Sequence, residues 1–159
     1  HLALSIGRPS RPTMNQPGCS SESWPLAVGG GRSWAQAGRN LPPYGTTHAD
    51  YFHGQVPCTR PLTAGEVNEA YEVNTGRVIA ETIPASKGLA TPGVLVYGHA
   101  PFTWGKSAEE AVYHAVVLEE VAKMAFRTEV LGQDKPISDF LLDKHYLRKH
   151  GRDAYYGQE

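Results

Sequence analysis

"YGTTHADYFHG", residues 44–54, is the stretch on which the reading of this chain turns. It crowds Thr46, Thr47, His48, Asp50 and His53 together between two glycines. In an extended conformation His48 and Asp50 share a face, because strand side chains alternate with a period of two. The plainer reading is a turn held by the hydrogen bonds of His and Asp. Spacing alone leaves the two readings level.

The periodic elements lie downstream. "LTAGEVNEAYEVNTG" (62–76) starts with a capping box, Thr63 with Glu66, and runs to Asn74 and Gly76, which predicts a short helix. "RVIAETI" (77–83) alternates as a strand would. "GVLVYGH" (93–99) is a short apolar strand run that delivers His99 at its end, and "APFTWGK" after it has the look of a site loop. "KSAEEAVYHAVVLEEVAKMAFRTEVL" (106–131) predicts a long helix with a second capping box, Ser107 with Glu110. Its apolar residues spread around most of the circumference, so it is expected to be buried on more than one side. "ISDFLLDKHYLRKHG" (137–151) predicts a helix from N-cap Ser138 to Gly151, with Lys149 and His150 in the last turn, where cations suit the helix dipole. Helix, strand, strand, helix, helix implies a mixed sheet covered by helices, an α/β fold.

Upstream, the text changes at a seam. From Ser33 in "SWAQAG" (33–38) the chain is patterned, whereas residues 5–32 are rich in Ser, Gly, Pro and Arg and carry neither period. Such a composition buries too little apolar surface to offset the entropy of ordering it. Residues 1–32 are therefore expected to be an irregular or aberrant segment and 33–159 the domain. The 159 residues suit one domain, and the opening on His1 reads as the tail of something longer.

A formal net charge of -1 gives no electrostatic reason to expect nucleic acid or an anionic membrane. No apolar run approaches the ~20 residues of a membrane span. Cys19 and Cys58 form no framework of bridges, which makes a reducing cytoplasm the expected setting. His145 and His150 lie five apart, off the spacing that brings helical side chains together for a metal. Adjacent Glu119 and Glu120 point in different directions, against a paired-carboxylate site.

The stretches "SWAQAG", "YGTTHADYF", "PCTRPLT", "YEVNTG", "GHAPFTWGK", "AVVLEEVA", "LLDKHYLRKHG" and "DAYYGQ" occur in an order that closely resembles the C-terminal part of the L-ribulose-5-phosphate 4-epimerases, within the class II aldolase/epimerase family. The resemblance covers essentially all of residues 33–158. "HLAL" (1–4) also resembles a family segment that precedes the metal-binding strand.

The resemblance implies a three-layer α/β/α sandwich with a largely antiparallel central sheet, incomplete here at the N-terminus, and a homotetramer with active sites between neighbouring subunits. It implies zinc-assisted retro-aldol and aldol chemistry that inverts C4 of L-ribulose 5-phosphate to give D-xylulose 5-phosphate, in L-arabinose breakdown. Carried onto this sequence, Asp50 matches the acid/base on one face of the substrate. Tyr156 matches the acid/base on the other face, serving a neighbouring subunit's site. His99 matches a zinc-binding histidine, and Thr46, Glu72 and His145 match residues placed around the same site.

The family's remaining zinc ligands form a His-x-His pair shortly before "SWAQAG". Here that ground reads "WPLAVGGGR" (24–32), without histidine. One histidine is not the three-ligand set of a catalytic zinc, so activity of this chain is expected to be impaired. Two alternatives accompany the epimerase reading. One is a non-catalytic fragment or paralogue that associates with intact subunits. The other is a related class II sugar-phosphate aldolase, against which "KHYLRKHG" and "AYYGQ" argue.

Overall fold

The structure, a computed structural model, describes residues 3–5, 29–132 and 135–156. Residues 6–28, most of the segment expected to be irregular, lie outside the described residues. Three strands form one antiparallel sheet in the order β1-β3-β2: β1 (Ala3–Ser5), β2 (Gly93–Leu95) and β3 (Pro101–Trp104). Ala3 pairs with Trp104 on one side of β3, and Val94 with Phe102 on the other. "PFTW" is thus the middle strand and not a site loop. Proline at its first position, in only four residues, hides the strand pattern.

Helix α1 (Gly30–Gln36) begins three residues ahead of the expected start at Ser33. It packs against α4 (Ala108–Val130), which lies across the strands. A Cβ on Gly30 would come within 2.9 Å of the Glu119 carbonyl oxygen, and one on Gly31 within 2.9 Å of Leu118 Cδ2, so glycine is what lets the two backbones approach. The first N–H groups of α1 then find a partner in α4. Gly29 and Gly30 N–H each donate to Glu119 Oε1 at 2.7 Å, and Gly31 N–H to Oε2 at 3.0 Å. Trp34 Nε1 donates to the Ala122 carbonyl at 3.1 Å. Trp34, Ala35, Leu41, Phe52, Val56, Leu95, Leu118, Val121, Ala122 and Ala125 form the core between these elements.

Helix α3 (Ala64–Thr82) has the expected capping box of Thr63 and Glu66 but continues through "RVIAETI", which is helical and not a strand. Val78 is buried, Ile79 and Ile83 are half-buried, and the Thr82 hydroxyl donates to the Val78 carbonyl at 2.7 Å. These contacts follow a period of four; the apparent alternation was a coincidence of a short run. A kink at Ala70 (φ -156°, ψ 70°) breaks the ladder, and Asn74 Nδ2 donates to the Glu66 carbonyl across it at 2.9 Å.

Helix α4 spans nearly the range expected. Its capping box is half formed: the Glu110 N–H donates to Ser107 Oγ at 3.2 Å, while the Glu110 carboxylate bonds the Lys106 N–H. One face, through Ala111, Leu118, Val121, Ala122 and Ala125, enters the core. Val112, Val116, Phe126 and Val130 stay exposed. A four-residue turn of helix, α2 (Thr46–Ala49), and the last helix, α5 (Asp139–His150, N-cap Ser138, C-cap Gly151), pack on each other. Among the described residues no helix is long and apolar enough to cross a membrane.

Candidate active site

The stretch 44–54 is a helical turn, so the extended arrangement of His48 and Asp50 does not occur. Two residues apart on a helix point about 200° from each other, and here one goes inward and the other outward. His48 and Phe52, four apart, both enter the core, their rings edge-on with centroids 5.4 Å apart. His48 Nε2 donates to the Gly54 carbonyl at 2.8 Å. Burial lowers its pKa to about 4, against the raising effect of that bond, so the ring is neutral and structural. With the turn anchored this way, Asp50 projects toward α5.

Helix α5 answers with one face. His145, Arg148 and Lys149 follow the i, i+3, i+4 spacing that aligns helical side chains, and all three reach the Asp50 carboxylate. His145 Nδ1 lies 3.0 Å from Oδ1, Arg148 Nη2 lies 3.1 Å from Oδ1 and 3.3 Å from Oδ2, and Lys149 Nζ lies 3.3 Å from Oδ2. His150 Nε2 donates to the Asp50 carbonyl at 2.9 Å. Burial by itself would raise the Asp50 pKa; the bonds from His145 and Arg148 and the charge of Lys149 outweigh it and hold the carboxyl below its ordinary range. Beside this cluster the rings of His53, Tyr146 and His150 stack in sequence at 4.5 Å each, and His53 Nε2 lies 2.6 Å from Asp143 Oδ1.

The tail after Gly151 folds back onto the same helix. The Tyr155 and Tyr156 N–H groups donate to the Arg148 carbonyl at 3.0 and 3.1 Å, and the Tyr156 ring lies 4.5 Å from Arg148 Cζ. Asp50 and His145 therefore meet, and the Tyr156 ring lies on Arg148 of the same helix. Thr46 sits one turn before Asp50 and its carbonyl accepts the Asp50 N–H at 2.9 Å.

Glu72 and His99 do not join them. Glu72 is exposed on α3, and among the described residues no hydrogen bond or ion pair links it or His99 to the Asp50 cluster. His99 is exposed in the turn between β2 and β3, its ring 5.9 Å from that of Phe102. Among the described residues no group of three His, Cys, Asp or Glu side chains is placed to hold a metal ion. The residues described here do not fit the zinc that the resemblance implies. Where the family's His-x-His pair leads into "SWAQAG", the described residues Gly29–Gly31 bind the Glu119 carboxylate instead. Sequence reasoning missed Arg148 and Lys149 as partners of Asp50; their spacing from His145 marks a shared helix face but not what that face meets.

Residues 31–126 match the family model for the class II aldolase and adducin N-terminal domain. This chain belongs to that family. It is 56% identical over 128 residues to the L-ribulose-5-phosphate 4-epimerase UlaF of Salmonella paratyphi C (strain RKS4594), a match covering 80% of this chain and 56% of the relative. Identity is 55% over the same length to the enzyme of that name from Salmonella paratyphi A (strain ATCC 9150 / SARB42). The chain spans about half the length of the curated relatives it matches. Among solved structures an L-fuculose 1-phosphate aldolase shares the fold, with a TM-score of 0.56 at 15% identity over 74% of this chain and 50% of that one. The α/β class with an antiparallel sheet stands on that likeness and on the family match.

Proposed function

We propose that this chain is the acid/base half of a sugar-phosphate 4-epimerase acting between L-ribulose 5-phosphate and D-xylulose 5-phosphate. The observation that carries the reading is the Asp50 carboxylate, ionised and pinned under α5, with Tyr156 folded onto the arginine that pins it. The identity to enzymes named for this reaction supports it.

C4 of the substrate bears a hydroxyl and no acidic C–H, so inversion by simple deprotonation is closed. Opening and re-forming the C3–C4 bond needs a base to take the C4 hydroxyl proton and an acid to return one on the opposite face of the turned aldehyde. An ionised Asp50 suits the first role, and the Tyr156 hydroxyl the second. Thr46 and His145 lie where they orient Asp50. The resemblance calls for a zinc ion to stabilise the charge that develops between the two steps. With His99 alone in its turn, the described residues lack the set that would hold it, and we infer that the chain does not turn over by itself. Cytoplasmic arabinose breakdown and a homotetramer belong to the same proposal.

The test is a chimera in which residues 33–159 follow the N-terminal part of the Salmonella UlaF epimerase. With zinc it is expected to epimerise L-ribulose 5-phosphate, and Asp50→Asn and Tyr156→Phe are each expected to lower the rate about 100-fold or more. A folded chimera that leaves the substrate untouched, or that cleaves it and releases both pieces as an aldolase does, would overturn the reading.

One observation favours the second reading, a non-catalytic partner of intact subunits: Val112, Val116, Phe126 and Val130 of α4 remain more than half exposed. It predicts co-purification of this chain with co-expressed intact epimerase, and separate elution would remove it.

A further inference from the structure

His48 is 3% exposed, and the two nitrogens of its ring are served unequally. Nε2 donates to the Gly54 carbonyl at 2.8 Å, which fixes the proton on that side of the ring and leaves Nδ1 as an acceptor. Among the described residues Nδ1 has no hydrogen-bond partner. The backbone donors of the turn are already spent. The Ala49 N–H donates to the Gly45 carbonyl at 3.3 Å and the Asp50 N–H to that of Thr46 at 2.9 Å. The Tyr51 and Phe52 N–H groups both donate to the His48 carbonyl, at 3.1 and 2.9 Å. An acceptor withdrawn from water without a partner is a standing cost to the fold, and a donor from outside the chain would remove it.

The same residue lines a cavity of about 120 Å³ between the turn and α4. Val121, Met124 and Ala125 give the cavity an apolar side, and the hydroxyl-bearing Thr47 and Thr128 also line it. We propose that this cavity is a binding site for a small neutral hydroxyl donor, its O–H bonding His48 Nδ1 and any carbon body resting on Val121, Met124 and Ala125. The site is separate from the proposed chemistry, since His48 points inward from the turn and Asp50 outward. The lining decides the class of ligand. Among the described residues it includes no Lys, Arg, Asp or Glu. An anion or an ammonium would find no counter-charge there, and burying a charge unpaired is strongly unfavourable. Burial also keeps the imidazole neutral, with its pKa lowered to about 4, so the nitrogen calls for a donor and not an acceptor. Size sets the upper limit. An apolar cavity of about 150 Å³ holds benzene, so this one takes water or an alcohol of about three carbons. Both carry the O–H that Nδ1 would read.

The experiment follows the His48 ring nitrogens by nitrogen-15 NMR at neutral pH, in buffer and then through a titration with isopropanol. The proposal expects one of two signals. An Nδ1 resonance already displaced from the free lone-pair position in buffer, with magnetisation transfer from water to the ring, identifies water as the donor. A displacement that grows saturably with isopropanol, half complete in the millimolar range as befits so small a ligand, identifies an alcohol site. A free lone-pair resonance that isopropanol leaves unmoved would overturn the proposal. So would a displaced one with neither transfer from water nor response to the alcohol, because the donor would then belong to the protein. Ala125→Val fills part of the cavity and is expected to remove whichever signal the parent gives; a signal of parent size would place the ligand elsewhere and defeat the proposal. Should Ala125→Val fail to fold, cyclohexanol asks the same question of the parent. It is too large for the cavity and is expected to leave Nδ1 where it was, and a response equal to that of isopropanol would contradict the site.

Discussion

The α2–α5 junction and the β2–β3 turn each present a residue that the family resemblance assigns to chemistry, and they present them in opposite ways. Asp50 is mostly withdrawn from water and met by His145, Arg148 and Lys149 from a helix nearly a hundred residues away in sequence. His99 stands exposed in a tight turn with a tilted Phe102 ring for company. A carboxylate can be made ready by one docked helix, whereas a metal site needs several ligands converging at once. The described residues gather partners around Asp50 and no ligand set around His99.

That contrast can be broken most forcefully from beneath. Phe52 is fully buried and holds the turn from which Asp50 projects. Phe52→Ala is expected to cost about 3–5 kcal/mol in urea unfolding and to disorder the contact of Asp50 with α5. A loss below about 1 kcal/mol would mean that the turn is held by something other than its core anchor.

The next effect is read along the pH axis and separates the junction's two acids. His48 is driven from an ordinary pKa of 6.5 down to about 4 by burial. Between those values the unfolded chain binds the proton that the folded chain refuses, so stability falls as pH drops from 6.5 toward 4, by about 3 kcal/mol in all. Asp50 has its pKa depressed, so the stability it contributes is present above the ordinary carboxylate value and lost only as pH falls below about 3.8. Urea midpoints from pH 7 to 3 should therefore show a loss complete near pH 4 that His48→Gln flattens, followed by a further loss that Asp50→Asn flattens. A single transition insensitive to His48→Gln would contradict the assignment.

At the turn the expected effect is the smallest. His99→Ala should change stability by no more than about 0.5 kcal/mol, as for exposed positions without partners, and leave the Asp50 titration where it was. A larger change would show that His99 is built into the fold and that the contrast is overstated.

Much of this was legible in the sequence, for identifiable reasons. Helices α4 and α5 announced themselves by length, by Ser107 and Ser138 at their starts and, for α5, by Gly151 at its end, because capping and a 3.6-residue period are local signals. "RVIAETI" misled because seven residues are too few to tell a period of two from a buried i, i+4 pair, and the continuation depended on Asn74 bridging the kink at Ala70. Strand β3 was hidden because its order comes from pairing with β1 and β2 on both sides. At the site, the resemblance supplied Asp50 and His145, and the structure brings these two into contact. Arg148 escaped because its partner, Asp50, is distant in sequence, and only folding brings the two into contact.

The central claim, a prepared carboxylate without a prepared metal site among the described residues, is tested most directly by titrating the chain with zinc against a chromophoric chelator. The account predicts that the chelator keeps the zinc and that His99→Ala behaves as the parent does. Uptake of one zinc per chain, lost in His99→Ala, would contradict it.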